Sequence, residues 1–156
     1  GYYLPRQTFI FGRQVSYCGW GKDQQLRFFR RGKCSWPSTV HSVPVINGEV
    51  GHISTDDGFL VHDNYRTVSQ FVEKMNRYTD QEARRLRDNG RPFHWLKLFY
   101  QPGKEFCNRY VRLQGYRDGL VGLFLALLMA FYMQLAYVKL WELYRADVDT
   151  GAKGSK

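Results

Sequence analysis

The sequence predicts a mixed α/β chain, α+β in its local order, with short strands first and helices after. Three observations carry this expectation. Residues 1–66 hold short runs rich in aromatic and β-branched side chains, separated by turn-forming residues. Residues 67–89 repeat apolar side chains at helical spacing. Residues 119–138 lie between Asp118 and Lys139 and carry no charged side chain.

The strands come first. Gly1-Tyr2-Tyr3-Leu4 and Thr8-Phe9-Ile10-Phe11 read as strand, and an opening in what looks like mid-strand suggests a piece of a longer protein. Leu26-Arg27-Phe28-Phe29 and Phe59-Leu60-Val61-His62 are further short strands. Val43-Pro44-Val45-Ile46, Asn47-Gly48 and Glu49-Val50 predict a hairpin, since Asn-Gly tolerates the positive φ of a type I′ turn. Pro44 places that strand at an edge or bulge.

The helix at 67–89 is amphipathic, its apolar face running from Val68 and Phe71 through Met75 to Ala83 and Leu86. Thr67 and Gln70 form a capping-box pattern, and Asn89-Gly90 with Pro92 is the stop. Arg77, Arg84, Arg85 and Arg87 lie on its polar face, which suits solvent or an anionic lipid surface. Residues 93–118 interleave aromatic and basic side chains, such as Trp95, Lys97, Tyr110 and Arg112. That mixture fits a nucleic-acid contact or a membrane-interface belt.

As a helix, 119–138 would be about 30 Å long, near the hydrocarbon thickness of a bilayer. Gly119, Gly122, Ala126 and Ala130 share one face as a small-residue seam. Tyr132, Tyr137, Trp141 and Tyr144 crowd the far end. Leu120, Phe124, Leu127, Phe131 and Trp141 are the expected membrane contacts. A buried core helix, an in-plane helix and a span all fit this composition, and basic flanks at both ends give no orientation. The organisation is therefore 1–66 strands, 67–118 amphipathic helix and aromatic-basic segment, 119–145 apolar helix, and 146–156 a frayed polar tail.

Composition narrows the class. The chain has 156 residues, 44% hydrophobic and 17% aromatic, too apolar for disorder. A negative mean hydropathy argues against a polytopic membrane protein. Lys plus Arg is 23 against 14 Asp plus Glu, a net charge of +9 that suits anionic partners. Cys18, Cys34 and Cys107 are widely spaced, so a zinc ribbon or redox dithiol is not expected and reduced thiols are. No P-loop, zincin, nucleophile-elbow or dinucleotide fingerprint is present. No nucleic-acid motif is present either, and the apolar run has no place in such a module, so nucleic acid is not an expected partner.

The polar residues able to do chemistry cluster between Trp20 and His62. Within them, Gly19-Trp20-Gly21-Lys22-Asp23-Gln24-Gln25-Leu26-Arg27-Phe28-Phe29-Arg30-Arg31 resembles the G-W-x-x-D-x-x-L-R-L-F-R-R segment of bacterial family 2 glycosyltransferases. These are the GT-A-type sugar transferases of lipopolysaccharide core and cell-surface polysaccharide synthesis. Leu4-Pro5-Arg6-Gln7-Thr8-Phe9, Val40-His41 with Asn47-Gly48, and His62 with Tyr65 and Lys74 resemble further segments in the same order. Phe106, Tyr110, Gly115, Asp118-Gly119 and Gly122 resemble the last.

The resemblance implies the C-terminal half of a nucleotide-sugar-dependent transferase, inverting, with a membrane-associating tail. In this fold the N-terminal half, not represented here, binds the nucleotide and carries the D-x-D that holds Mg²⁺ or Mn²⁺. Asp147-Val148-Asp149 matches that motif by letters only and lies after the apolar run. Asp23 matches the general base, which takes the acceptor hydroxyl proton. His62 and His41 match positions near the metal, although Ser42 replaces the usual Glu beside His41. Arg27, Arg30, Arg31 and Trp20 fall where diphosphate or acceptor is bound, and guanidinium forks suit a diphosphate leaving group. Strand alternation would separate Arg30 from Arg27 and Arg31. The implied partners are a nucleotide-sugar donor, a lipid-linked or saccharide acceptor, and a membrane surface at the cytoplasmic face of the inner membrane, met peripherally or by one span. The other reading the residues allow is a non-catalytic basic module that binds membrane or nucleic acid.

Overall fold

The computed structural model describes residues 1–21, 23–36 and 43–153, with side chains described through residue 147. The fold is α+β. Strand β1 (Tyr2–Ile10) is the spine of a five-stranded sheet. On one edge it pairs antiparallel with β2 (Arg13–Val15) and β3 (Asp23–Phe28). On the other edge β6 (Gly51–His52) and β7 (Leu60–Tyr65) run parallel to it. The sheet is therefore mixed. β4 (Cys34–Ser35) and β5 (Val45–Ile46) form a separate antiparallel pair.

β1 turns into β2 through Phe11 and Gly12, both at positive φ (53° and 73°), the conformation a two-residue I′ turn requires. A bulky residue seldom adopts it. Phe11 is held there by its N–H, which donates to the Tyr65 carbonyl at 2.8 Å, and by its ring against Phe71.

The Asn47-Gly48 hairpin expected from the sequence does not form. β5 pairs instead with β4, and the Asn47 N–H donates to the Lys33 carbonyl at 2.9 Å. Residues past Gly48 run on to lay Gly51 and His52 beside Tyr2 and Tyr3. Pairing with the sheet offers more backbone partners than a two-residue return would. β3 also stops sooner than expected, at Phe28. Arg30 and Arg31 lie beyond its end, where the Lys33 N–H closes a turn on the Arg30 carbonyl at 3.1 Å. The alternation argued for them therefore has no strand to act on.

The helices form a layer behind the sheet. α1 (Val68–Asp88) lies where the apolar spacing put it. Thr67 caps it, its hydroxyl accepting from the Gln70 N–H at 3.1 Å, while the Gln70 side chain accepts from the Arg66 N–H at 2.8 Å. α2 (Lys97–Cys107) widens into a π-helical turn over residues 108–112, and a 3-10 turn over 115–118 leads into α3 (Gly119–Lys153). α3 is helical through most of the segment expected to fray. It lies beside α1 as far as the last turn of α1, where Asp147 meets Arg87 at 3.8 Å.

The main core joins Ile10 and Val15 of the sheet to Phe71 and Met75 of α1 and Leu125 and Ala126 of α3. A smaller core gathers Ala83, Tyr137 and Leu140 at the far end of the helical layer. The small-residue seam of α3 faces the first of these cores, with Gly122, Ala126 and Ala130 buried. Gly119 is exposed at φ 64° and serves the turn into the helix instead.

Candidate functional site on the helix-facing side of the sheet

The pairing of β1 with its neighbours assembles the site. Arg6 stands opposite Asp23 on one edge, and Thr8 stands opposite His62 on the other. Alternation puts Arg6, Thr8 and Ile10 on the same face, and Thr8 and Ile10 are buried against the helices. Asp23, Gln25 and His62 share that face by register. Asp23 and His62, 39 positions apart in sequence, thus flank a single strand on one sheet face.

Asp23 forms an ion pair with Arg6 and accepts a hydrogen bond from the Gln25 side-chain amide at 2.9 Å. Both ion-pair partners are roughly one-quarter exposed, so the carboxylate is held in place yet reachable. Burial, reinforced by nearby Arg27, holds the Arg6 guanidinium below its ordinary proton affinity. His62 is also pushed down, first by burial and then by Arg6 and Lys74, with Asp63 opposing. Lys74, on α1, donates to the Asn64 carbonyl at 3.2 Å and sits 4.7 Å from the centre of the Tyr65 ring.

Three buried nitrogens in this region have no hydrogen-bond partner among the described residues: Arg6 Nε, His62 Nδ1 and Trp20 Nε1. Buried donors left without a protein partner are uncommon and point to a ligand or water. Trp20 lies edge-on to Tyr65, ring centres 6.0 Å apart, with the Arg109 guanidinium 6.0 Å from its own ring.

The loop that delivers Trp20 and Asp23 is fastened to the helices. Asp118 accepts the Ser16 and Tyr17 N–H groups at 3.1 and 2.9 Å. The Cys18 N–H donates to the Leu113 carbonyl at 3.0 Å, and Arg109 donates to the Cys18 carbonyl at 2.8 Å. The Cys18 thiol, buried against Gly122, is pushed up to about 11 by burial, so it stays protonated and takes no nucleophilic part at neutral pH.

The remaining expected site residues are distributed unevenly. Arg27 lies near enough to Arg6 to act on it, with its guanidinium 5.5 Å from the centre of the Trp36 ring. It lines a cavity of about 370 Å³ with Tyr3, Gln24 and Pro44. Arg30 and Arg31 lie past the end of β3, in the turn closed by the Lys33 N–H on the Arg30 carbonyl, and make no contact with Asp23. His41 lies outside the described residues. Sequence reasoning gave no role to Arg6, Gln25 or Lys74. Arg6 was visible in the Pro5-Arg6 segment, but its pairing with Asp23 depends on strand register.

His62 stands apart from any cluster of metal-binding side chains among the described residues. No group of three or more His, Cys, Asp or Glu side chains could hold an ion among them, and the charges His62 feels most are the cations Arg6 and Lys74.

The apolar residues expected at a membrane, Leu120, Phe124, Leu127, Phe131 and Trp141, are all exposed on α3, from 70% at Leu120 to 43% at Trp141. The helical stretch Gly115–Asp147 is long and apolar enough to cross a membrane, and only 28% of its most apolar window is buried within the molecule. Compared with known proteins, the chain matches no family model and no solved structure.

Proposed function

We propose that this chain is the acceptor-side half of a nucleotide-sugar-dependent glycosyltransferase of the family 2, GT-A type that its segments resemble. It would act in bacterial cell-envelope polysaccharide or lipopolysaccharide synthesis, on the cytoplasmic face of the inner membrane. One observation carries the reading: the Asp23 carboxylate is grouped with Arg6, Gln25 and His62 on one sheet face, beside buried nitrogens that lack partners.

In this reading an acceptor hydroxyl displaces Arg6 from one Asp23 oxygen and hydrogen-bonds to the carboxylate. Its oxygen attacks the anomeric carbon as the bond to the nucleoside diphosphate breaks. Asp23 takes the hydroxyl proton, the diphosphate leaves with the bonding pair, and the anomeric configuration inverts. The freed Arg6 guanidinium, with Arg27, offsets the charge that develops on the leaving group. Trp20 offers an aromatic wall and an N–H to the acceptor sugar. Arg30 and Arg31, in the turn beyond the end of β3, take no part in this role. The donor half would supply the nucleotide site and the ligands of Mg²⁺ or Mn²⁺, and no step here runs through that ion.

The test is Asp23→Asn in the complete enzyme. It should lower kcat at least 100-fold with an unchanged melting temperature. Full turnover in a folded Asp23→Asn enzyme would remove the base. The second reading, a non-catalytic basic membrane module, is favoured by the exposed face of α3, which exists independently of Asp23. Transfer activity in the complete enzyme, lost with Asp23, separates the two.

A further inference from the structure

Over residues 119–138 α3 carries no charge on any side, and its two faces have different surroundings. Its inner face fills both cores. Its outer face presents Leu120, Phe124, Leu127 and Phe131 in steps of about one helical turn, and Val138 two turns further on, all more than 40% exposed. That row is about 27 Å long. On the helix packed beside it, Leu96, Phe99 and Tyr100 are each exposed by more than 60%.

The neighbour of α3 decides how such a face can meet a bilayer. α1 accompanies α3 along most of its length, from Phe71 beside Leu125 to Arg87 beside Asp147. Polar bonds join them midway: Lys139 donates to the Asn76 carbonyl at 2.7 Å and pairs with Asp80 at 2.6 Å. The outer face of α1 carries Arg77 and Arg84, both exposed. If α3 crossed a bilayer, this charged helix would be drawn into hydrocarbon, where each central charge is strongly disfavoured.

The basic flanks complete the argument. Arg117 precedes the apolar row and Arg145 follows it, each held over an aromatic ring, Tyr17 at 4.4 Å and Trp141 at 5.5 Å. A span would send them to opposite leaflets. A helix lying flat sets both at the same headgroup layer. Self-pairing of this face is disfavoured by the +9 net charge, and an antiparallel pair would set Arg117 against Arg145 of the second copy.

We infer that α3 lies flat on an anionic bilayer surface, with its outer row and the outer row of α2 sunk into the headgroup–acyl boundary. The inference rests on the membrane association proposed above and specifies its geometry.

The experiment uses the whole chain with Cys34 and Cys107 changed to Ser, and a nitroxide placed in turn at Leu120→Cys, Phe131→Cys and Val138→Cys. Probes are vesicles of phosphatidylcholine alone and of phosphatidylcholine with phosphatidylglycerol. Anionic vesicles should bind at least tenfold tighter, and added salt should weaken the binding. All three labels should report one shallow depth, about 5–10 Å below the headgroups. Phe124→Glu with Phe131→Glu, both exposed, should lower binding at least tenfold with an unchanged circular dichroism spectrum. A deep Phe131 label between shallow Leu120 and Val138 labels would mean a span and overturn the inference. So would equal binding to both vesicles, or dimers in place of vesicle binding. Asp23→Asn should leave vesicle binding intact, so failure of the catalytic reading and failure of this one are told apart.

Discussion

At the scale of single residues, His62 offers a measurement independent of any substrate. Burial, Arg6 and Lys74 all disfavour its charged form, and Asp63 only partly opposes them. Between its depressed native value and the ordinary 6.5, the unfolded chain binds more protons than the native one. Stability from this group therefore rises with pH through that window, is flat above it, and falls as pH drops below 6.5. His62→Gln should remove that part of the acid slope in denaturant midpoints taken between about pH 5 and 8. An unaltered slope would place the titrating group elsewhere. Asp23, His62 and Arg6 each stand in a local segment that the sequence alone singles out. The pairing of Arg6 with Asp23 is not singled out in this way, because the two are 17 positions apart and are brought together by the register of β1 against β3. Local spacing carries no record of which strand lies next to which.

At the scale of elements, the same contrast separates α1 from β5. The start and stop of α1 are written in local chemistry, a hydroxyl at Thr67 and a glycine at Gly90 with φ 62°, so the sequence locates both ends. Asn47-Gly48 has equally strong local chemistry, yet β5 finds its partner at Cys34 and Ser35. Turn propensity yielded to a longer-range ladder. The small residues of α3 can be tested here. A methyl group on Gly122 would overlap the Gly115 carbonyl, which is backbone and cannot rotate away. Gly122→Ala should therefore destabilise the fold by about 1–3 kcal/mol, read as a lower denaturant midpoint. A neutral substitution would show that the start of α3 can shift relative to the 3-10 turn. Gly119→Ala meets no atoms, and its cost comes only from the positive φ of 64°.

At the scale of the molecule, the sequence could not divide α3 into two faces, because both are apolar. Leu125 and Leu140 fill the protein core while Leu120 and Leu127 face outward, and no difference in side-chain chemistry marks which is which. Only the position of α1 and α2 around the helix assigns them. That arrangement also explains how a chain with a net charge of +9 carries a long uncharged run. The Lys and Arg side chains are spread over the strands, loops and other helices, outside the 119–138 run rather than within it. At the start of the polar tail, Asp147 of α3 meets Arg87 of α1 at 3.8 Å, so the two helices still lie side by side there.

The carboxylate of Asp118, one residue before α3, accepts two amides of the loop that leads to Trp20 and Asp23. In the language of hydrogen exchange, the amides of Ser16 and Tyr17 can open only when Asp118 lets go. Their protection is therefore bounded by the cohesion of the first turn of a helix about 100 residues away in sequence. Asp118→Asn should speed their exchange together with that of the Cys18 amide, while the amides of Thr8 and Ile10 keep their rates. Uniform acceleration across the sheet would mean that the substitution had loosened the whole fold, and independent rates at Ser16, Tyr17 and Cys18 would mean that the loop is not one cooperative unit with the start of α3.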